Sequence, residues 1–270
     1  MVALELRDKA AIVTGGGHGI GRALAEALAG QGARVAVADV DGARASKIAE
    51  RIGGIAVTCD VSDPGAVAAL VATTEEAFGP VEVAASNAGI LDPGPDLGSS
   101  VDQVRRIVDV NLLAHVWMAQ AVVPGMAERG HGALVQTISS AALITGPSGM
   151  GYTLTKHGAL GFAEWVALNY AHRGVRVVCL CPNVVNTGMI GRNEDDEADG
   201  HTVSADFVAR MGDVVEPEVA AAAALASLDE GRFLALPHPR VGESFARKAE
   251  DYDAWLERTA GRLRRMRGEA

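Results

Sequence analysis

Short runs of aliphatic and β-branched residues recur along this chain, separated by longer stretches in which apolar positions return every three or four residues. A short apolar run bounded by turn formers reads as a buried strand, and the longer period as an amphipathic helix. The first run, 10–14, is followed by a helical pattern over 20–29 and a second strand over 34–38. Five more strands are expected at 55–58, 81–86, 133–138, 175–180 and 233–236, with helices at 42–52, 64–78, 101–128, 151–172 and 217–228. This alternation predicts an α/β fold, a doubly wound parallel β-sheet with helices on both faces. Its crossovers should be right-handed, and ligands should bind at the carboxyl ends of the strands. No internal repeat or linker interrupts the pattern, so residues 1–270 read as a single domain.

Two stretches fall outside the alternation. The connection 188–215 carries the acidic run Glu194-Asp-Asp-Glu197 and Asp199. So long a connection is expected to work as a substrate lid, while its charge alone reads as a solvated surface. Residues 237–270 form a C-terminal extension. Leu236-Pro-His-Pro239 should stop the last strand, and 241–266 reads as a helix of mixed charge. The closing Arg262-Leu-Arg-Arg-Met-Arg267 complements the helix dipole.

Composition narrows the class. At 49% hydrophobic and 21% charged, 270 residues suffice for one well-filled core and do not look disordered. A net charge of −10, with no basic stripe interleaved with aromatics, argues against nucleic acid. The cysteines Cys59, Cys179 and Cys181 are odd in number and show no framework spacing, which suits a reducing compartment. Cys179 and Cys181 share one strand face and read as small buried hydrophobes. The histidines show no metal-ligand spacing, so no metal is expected. The first nine residues lack a hydrophobic signal core, and the longest apolar run, 219–226, is too short to cross a bilayer. The expected location is cytoplasmic, without membrane contact.

The chemistry concentrates in three places. Thr14-Gly-Gly-Gly-His-Gly-Ile-Gly21 joins the first strand to the first helix. Glycines there let the backbone approach a pyrophosphate, and the helix N-terminus offers N–H groups to phosphate. Gly15, Gly17, His18, Gly19 and Ile20 are the candidate cradle. Asp39 ends the second strand, eighteen residues after Gly21. Its carboxylate is placed to accept both hydroxyls of an adenosine ribose and to repel a 2′-phosphate, which selects NAD over NADP. His18 would welcome phosphate only when protonated, so Asp39 should decide. Finally, Tyr152-Thr-Leu-Thr-Lys156 sets a phenol and an ammonium one helical turn apart, with Ser139 thirteen residues upstream of the tyrosine. A fixed positive charge lowers a phenol's pKa, the condition for proton transfer to and from an alcohol oxygen near neutrality.

Together these motifs resemble the short-chain dehydrogenase/reductase family over roughly residues 5–236, the NAD-dependent type here followed by a helical extension. The resemblance implies a Rossmann-like body. It further implies adenine contacts from Asp60 and Val61, and a turn at Asn87, Ala88 and Gly89 that supports sheet and cofactor. The segment from Pro182 through Val185 to Thr187 would grip the nicotinamide carboxamide. Asn111, Ser139, Tyr152 and Lys156 match the family's catalytic tetrad, with Lys156 also on the nicotinamide ribose. Asn111 would distort its helix slightly and hold a water for proton relay. Spacing favours Ser139 over Ser140, and on a strand only one of the two can face the site. Three departures stand out. Asn183 occupies the place of a usual glycine, in a turn where Asn tolerates left-handed backbone. Ser86 replaces a usual asparagine, and the ending is longer than usual.

The implied activity is hydride transfer between NAD(H) and a secondary alcohol or ketone of some hydrophobic bulk, with Tyr152 as general acid/base. Leu91, Met150 and Met189 are candidate pocket walls, and His157 should point away. The alternatives are an NADP-dependent ketoacyl-type reductase and a non-catalytic dinucleotide-binding regulatory protein. The small and apolar residues of helices 101–128 and 151–172 suggest a homo-oligomer, a dimer or tetramer, as the family pairs these helices across subunits.

Overall fold

The computed structural model describes residues 5–91, 97–190 and 212–269. The strands are β1 (Ala10–Thr14), β2 (Arg34–Asp39), β3 (Ile55–Thr58), β4 (Val81–Ser86), β5 (Gly132–Thr137), β6 (Val175–Leu180), β7 (Val184–Val185), β8 (Val214–Val215) and β9 (Leu234–Ala235). The α-helices are α1 (Gly19–Gly30), α2 (Gly42–Ile52), α3 (Pro64–Phe78), α4 (Val101–Val108), α5 (Ala114–Arg129), α6 (Met150–Tyr170), α7 (Pro217–Glu230), α8 (Pro239–Glu250) and α9 (Tyr252–Arg267). Seven strands form one parallel sheet in the order β3-β2-β1-β4-β5-β6-β9. Strand order reverses between β1 and β4, which opens a crevice at their carboxyl ends.

Alternation along each strand divides the core in two. Ile12, Ala84 and Leu134 face α3, α5 and α6, where Leu70, Met118, Met126 and Ala163 pack. Ala11, Val13, Val37 and Val135 face the other way, onto Leu24 and Leu28 of α1, Ile48 of α2 and Leu225 of α7. Strands buried on both sides explain why the sequence shows continuous apolar runs there. The stretch Val101–Arg129 is long and apolar enough to cross a membrane by length and composition. Here it covers the sheet, burying Met118, Val122, Val123 and Met126.

The helix expected over 101–128 contains a π-helical turn, Asp109–Leu113, between α4 and α5, a distortion of the kind expected at Asn111. Three differences from the sequence reading bear on function. The fifth strand ends at Thr137, one residue earlier than expected. The single helix expected over 241–266 is two, because Asp251 adopts φ −150°, ψ 93° and caps α9 by accepting the Ala254 N–H. The two-residue ribbon β7–β8 is too short to leave a periodic signal. The acidic run and most of the expected lid lie outside the described residues; only Gly188–Ile190, a 3₁₀ turn, and residues 212–215 are described.

Candidate active site

A cavity of about 300 Å³ opens at the carboxyl ends of β1, β4 and β5. At one end, β1 delivers the chain into the glycine loop. Gly15 and Gly19 sit at φ +60° and +52°, backbone that L side chains rarely adopt. A Cβ on Gly21 would run into the Gly15 carbonyl, so α1 starts hard against the loop. Helix α1 has no side-chain N-cap, which leaves its first-turn N–H groups for an outside acceptor. Gly15, His18, Gly19 and Ile20 line the cavity. Gly17 stands behind it, donating its N–H to Asp39 Oδ2 at 2.9 Å.

Asp39 is buried at the end of β2 and faces the cavity. Its Oδ1 accepts the Asp41 N–H at 3.0 Å, and His18 Nδ1 stands 3.7 Å from Oδ2. Burial opposes ionisation, but His18 and the Asp41 and Gly17 amides outweigh it and hold the carboxyl below its usual value. Asp60 and Val61 line the same end. Asp60 is pinned by the Ser62 amide and hydroxyl and by Arg106, whose Nη1 lies 3.2 Å from Oδ2. Arg106 also lines the cavity and is a site residue the sequence did not reveal; it comes from α4 in the folded chain.

The floor is the turn after β4. Asn87 Nδ2 donates to the carbonyls of Thr14 and Gly15, and Thr14 Oγ1 accepts the Asn87 and Ala88 amides. These bonds tie the two central strands together just where the crevice opens. Ser86 is buried, and among the described residues its hydroxyl has no partner, so Asn87 carries the turn. Asn111 does not line the cavity. It lies fully buried in the π turn, its Oδ1 accepting the Ile90 N–H at 2.8 Å and its Nδ2 donating to the Ile90 carbonyl at 2.9 Å. Gly89 separates it from Lys156: a Cβ there would stand 3.4 Å from Asn111 Oδ1 and 3.6 Å from Lys156 Nζ.

Ser139, Tyr152 and Lys156 converge on the far end of the cavity. Because β5 stops at Thr137, strand alternation does not choose between the serines, and both line the cavity. Their hydrogen bonds do distinguish them. Ser139 Oγ accepts the Ala141 N–H at 3.1 Å, and its own proton reaches no described residue. Ser140 Oγ instead donates to Asn183 Oδ1 at 3.2 Å. Ser139 is thus the serine with a proton to offer an incoming oxygen.

Lys156 Nζ donates to the Thr137 carbonyl at 3.1 Å and lies 5.5 Å from the centre of the Tyr152 ring. Burial lowers its pKa to about 8, with a smaller opposing influence from Cys181. Its neighbour His115, unremarked in the sequence, is buried, and burial followed by the Lys156 charge pushes its pKa to about 3. It is therefore neutral and adds no charge to the site. His157 bonds the Thr153 carbonyl and does not line the cavity.

Pro182, Val185 and Thr187 line the side facing α1, and Gly19 is the residue that lets Thr187 approach: a Cβ there would lie 3.0 Å from Thr187 Cγ2. Asn183 also lines the cavity but not in the left-handed conformation expected of it, since Asp8 is the described non-glycine residue with positive φ. It holds its place through Ser140 instead. Of the candidate pocket walls, Leu91 and Met189 line the cavity and Met150 does not.

These features suit an elongated dinucleotide: a glycine cradle without Cβ atoms, uncapped amides, an ionised carboxylate at one end and a Tyr–Lys–Ser group at the other. The family described as short chain dehydrogenase matches residues 9–198. A 1-deoxy-11-beta-hydroxypentalenate dehydrogenase of Streptomyces exfoliatus is 39% identical over 218 residues, 77% of this chain and 79% of that protein. A cyclohexanol dehydrogenase of an Acinetobacter species is 35% identical over 199 residues, covering 72% and 79%. A short chain dehydrogenase/reductase of Burkholderia phymatum, solved in complex with NAD, superposes with a TM-score of 0.81 at 27% identity, covering 93% of this chain and 96% of that one. The chain therefore belongs to the short-chain dehydrogenases, oxidoreductases that move hydride between a nicotinamide dinucleotide and an alcohol or ketone.

Proposed function

We propose that the protein is an NAD-dependent dehydrogenase of a cyclic secondary alcohol, with Tyr152 as the general base. One observation carries this reading: the Ser139–Tyr152–Lys156 group and the ionised Asp39 lie at opposite ends of one cavity. The substrate class follows from the relatives that act on ring alcohols and from the apolar Ile90, Leu91 and Met189 near the reacting end.

Gly15, His18, Gly19 and Ile20 would hold the pyrophosphate, with Gly17 behind them fixing Asp39. Asp39 would take the adenosine ribose, and its negative charge disfavours a 2′-phosphate by like-charge repulsion. Asp60 and Val61 would border the adenine, Asn87, Ala88 and Gly89 the central bridge, and Pro182, Val185 and Thr187 the carboxamide. Bound at this end, nicotinamide supplies the hydride acceptor.

For oxidation, Ser139 donates to the substrate oxygen and fixes the carbinol carbon. Tyr152 removes the hydroxyl proton. Lys156, largely protonated at pH 7, favours the phenolate and would hold the nicotinamide ribose. Asn111, across Gly89 from Lys156, supports the relay that returns the proton to solvent. Reduction reverses each transfer.

The exposed Leu154, Trp165 and Leu168 on α6 support a homo-oligomer, which sedimentation tests: a monomer at micromolar concentration rejects it. The three buried free thiols fit a reducing compartment. The functional reading is tested by comparing NAD with NADP in the oxidation of cyclohexanol and larger ring alcohols. Turnover with NAD supports it. Preference for NADP removes the role given to Asp39, and tight NADH binding with no turnover of any alcohol or ketone favours a regulatory protein.

A further inference from the structure

Near the start of the extension, His238 is buried and held by three backbone groups from two segments. Its Nδ1 lies 3.1 Å from the Asn183 amide, and its Nε2 lies 3.1 Å from the carbonyls of both Val184 and Asp213. A ring nitrogen facing an N–H must carry the lone pair, and one facing two carbonyls must carry the proton. The contacts thus fix one neutral tautomer. Burial lowers this imidazole's pKa, with the two carbonyls and Asp213 working against it, which favours the neutral form the geometry requires.

Ten residues on, Lys248 of α8 is also buried. Its Nζ donates to the Leu143 carbonyl at 2.9 Å and lies 4.8 Å from the ring centre of Trp255 and 5.4 Å from that of Tyr252, both on α9. Leu143 sits in the connection between Ser139 and Tyr152. Asn183 and Val184 sit in the segment between β6 and Thr187. These two segments are already joined, because the Ser140 amide donates to the Pro182 carbonyl at 2.7 Å and its hydroxyl to Asn183.

We propose that the C-terminal extension is an internal brace for the reacting end of the site, with His238 and Lys248 as positioning residues. His238 holds the segment assigned to the nicotinamide carboxamide and ties it to the backbone of Asp213, just before β8. Lys248 holds the segment that carries the catalytic serine toward the catalytic tyrosine. Neither contact reaches Asp39 or the glycine loop. The brace accordingly sets the nicotinamide half of the site and leaves the adenosine half alone. It also explains how Asn183 serves where a glycine is usual: its amide is claimed by His238 and its side chain by Ser140. The effect on ligand binding rests on the dinucleotide reading above; the effect on the two segments does not.

The test uses the full-length protein and four variants. His238→Leu removes all three hydrogen bonds of the ring. His238→Asn keeps an acceptor for the Asn183 amide, and His238→Gln keeps a donor for the two carbonyls. Lys248→Met keeps the apolar stem and removes the donor. Amide hydrogen exchange is measured without ligand. His238→Leu should speed exchange in peptides covering 182–187, and Lys248→Met in those covering 140–149, while 10–21 stays unchanged. Dissociation constants are then measured for NAD and for ADP-ribose, which lacks the nicotinamide ring. His238→Leu should weaken NAD by about fivefold to tenfold, an indirect effect comparable in size to one neutral hydrogen bond, without changing ADP-ribose. His238→Asn and His238→Gln should each recover part of that loss. Unchanged exchange in both segments overturns the brace, as does equal weakening of NAD and ADP-ribose, which would signal general loosening. If the unaltered protein binds neither ligand, the dinucleotide reading fails, while the exchange data still decide whether the brace exists.

Discussion

Lys156 gives the sharpest thermodynamic expectation, because the group proposed to favour the Tyr152 phenolate is buried where a charge is costly. Its pKa falls from 10.5 to about 8 on folding. At about 1.4 kcal/mol per unit, the charged ammonium destabilises the folded protein by about 3 kcal/mol at pH 7. Lys156→Met keeps a similar unbranched side chain and removes that cost. It also removes the hydrogen bond to the Thr137 carbonyl, worth about 1 kcal/mol. The variant should therefore be more stable at pH 7 by about 2 kcal/mol, although it should lose activity. The gain has a pH signature. Between pH 8 and 10.5 the unfolded lysine binds more protons than the folded one, so the unaltered protein gains stability relative to the variant as pH rises. The two should cross near about pH 10, and above it the variant should be the weaker by its missing hydrogen bond. Urea denaturation of both proteins from pH 7 to 10.5 reads the difference directly, since other titrations cancel. A variant less stable at pH 7, or a gap that does not move with pH, refutes the argument.

Other consequences can be checked separately. Asp39→Ala should weaken NAD about tenfold to a hundredfold, the value of hydrogen bonds to a charged group, and narrow the preference over NADP; steady-state kinetics with both cofactors show it. Ser139→Ala should lower kcat far more than Ser140→Ala, because only Ser139 has a proton to give the substrate; equal losses would remove that distinction. Gly21→Ala should disrupt the cradle, since the new methyl meets the Gly15 carbonyl, at a stability cost of about 1–3 kcal/mol measured by denaturation.

The sheet was legible because its strands are buried on both faces and therefore read as unbroken apolar runs. The glycine loop was legible because glycine was required by backbone geometry, as the positive φ of Gly15 and Gly19 shows. The distortion at Asn111 was legible through the resemblance, but its cause was not: that side chain bonds the Ile90 backbone, a partner twenty-one residues away in sequence. The end of β5 at Thr137 removed the alternation by which only one serine could face the site, and beside the spacing that favoured Ser139 the distinction came from which hydroxyl proton was already committed. Asn183 was expected to stand in for glycine through its backbone, yet it does so through contacts with Ser140 and His238. Those partners lie 43 and 55 residues away, and no local pattern records them.

The central claim is that Tyr152 transfers the proton while hydride moves between the alcohol carbon and NAD. It is tested most directly by single-turnover oxidation of a ring alcohol such as cyclohexanol, comparing the unaltered protein with Tyr152→Phe at saturating NAD. The substitution removes one hydroxyl and keeps the ring beside Lys156. NAD binding should be nearly unchanged, and the rate of NADH formation should fall by at least about a hundredfold, the lower range for loss of a general base. NADH formed by Tyr152→Phe at a rate close to that of the unaltered protein would contradict the claim.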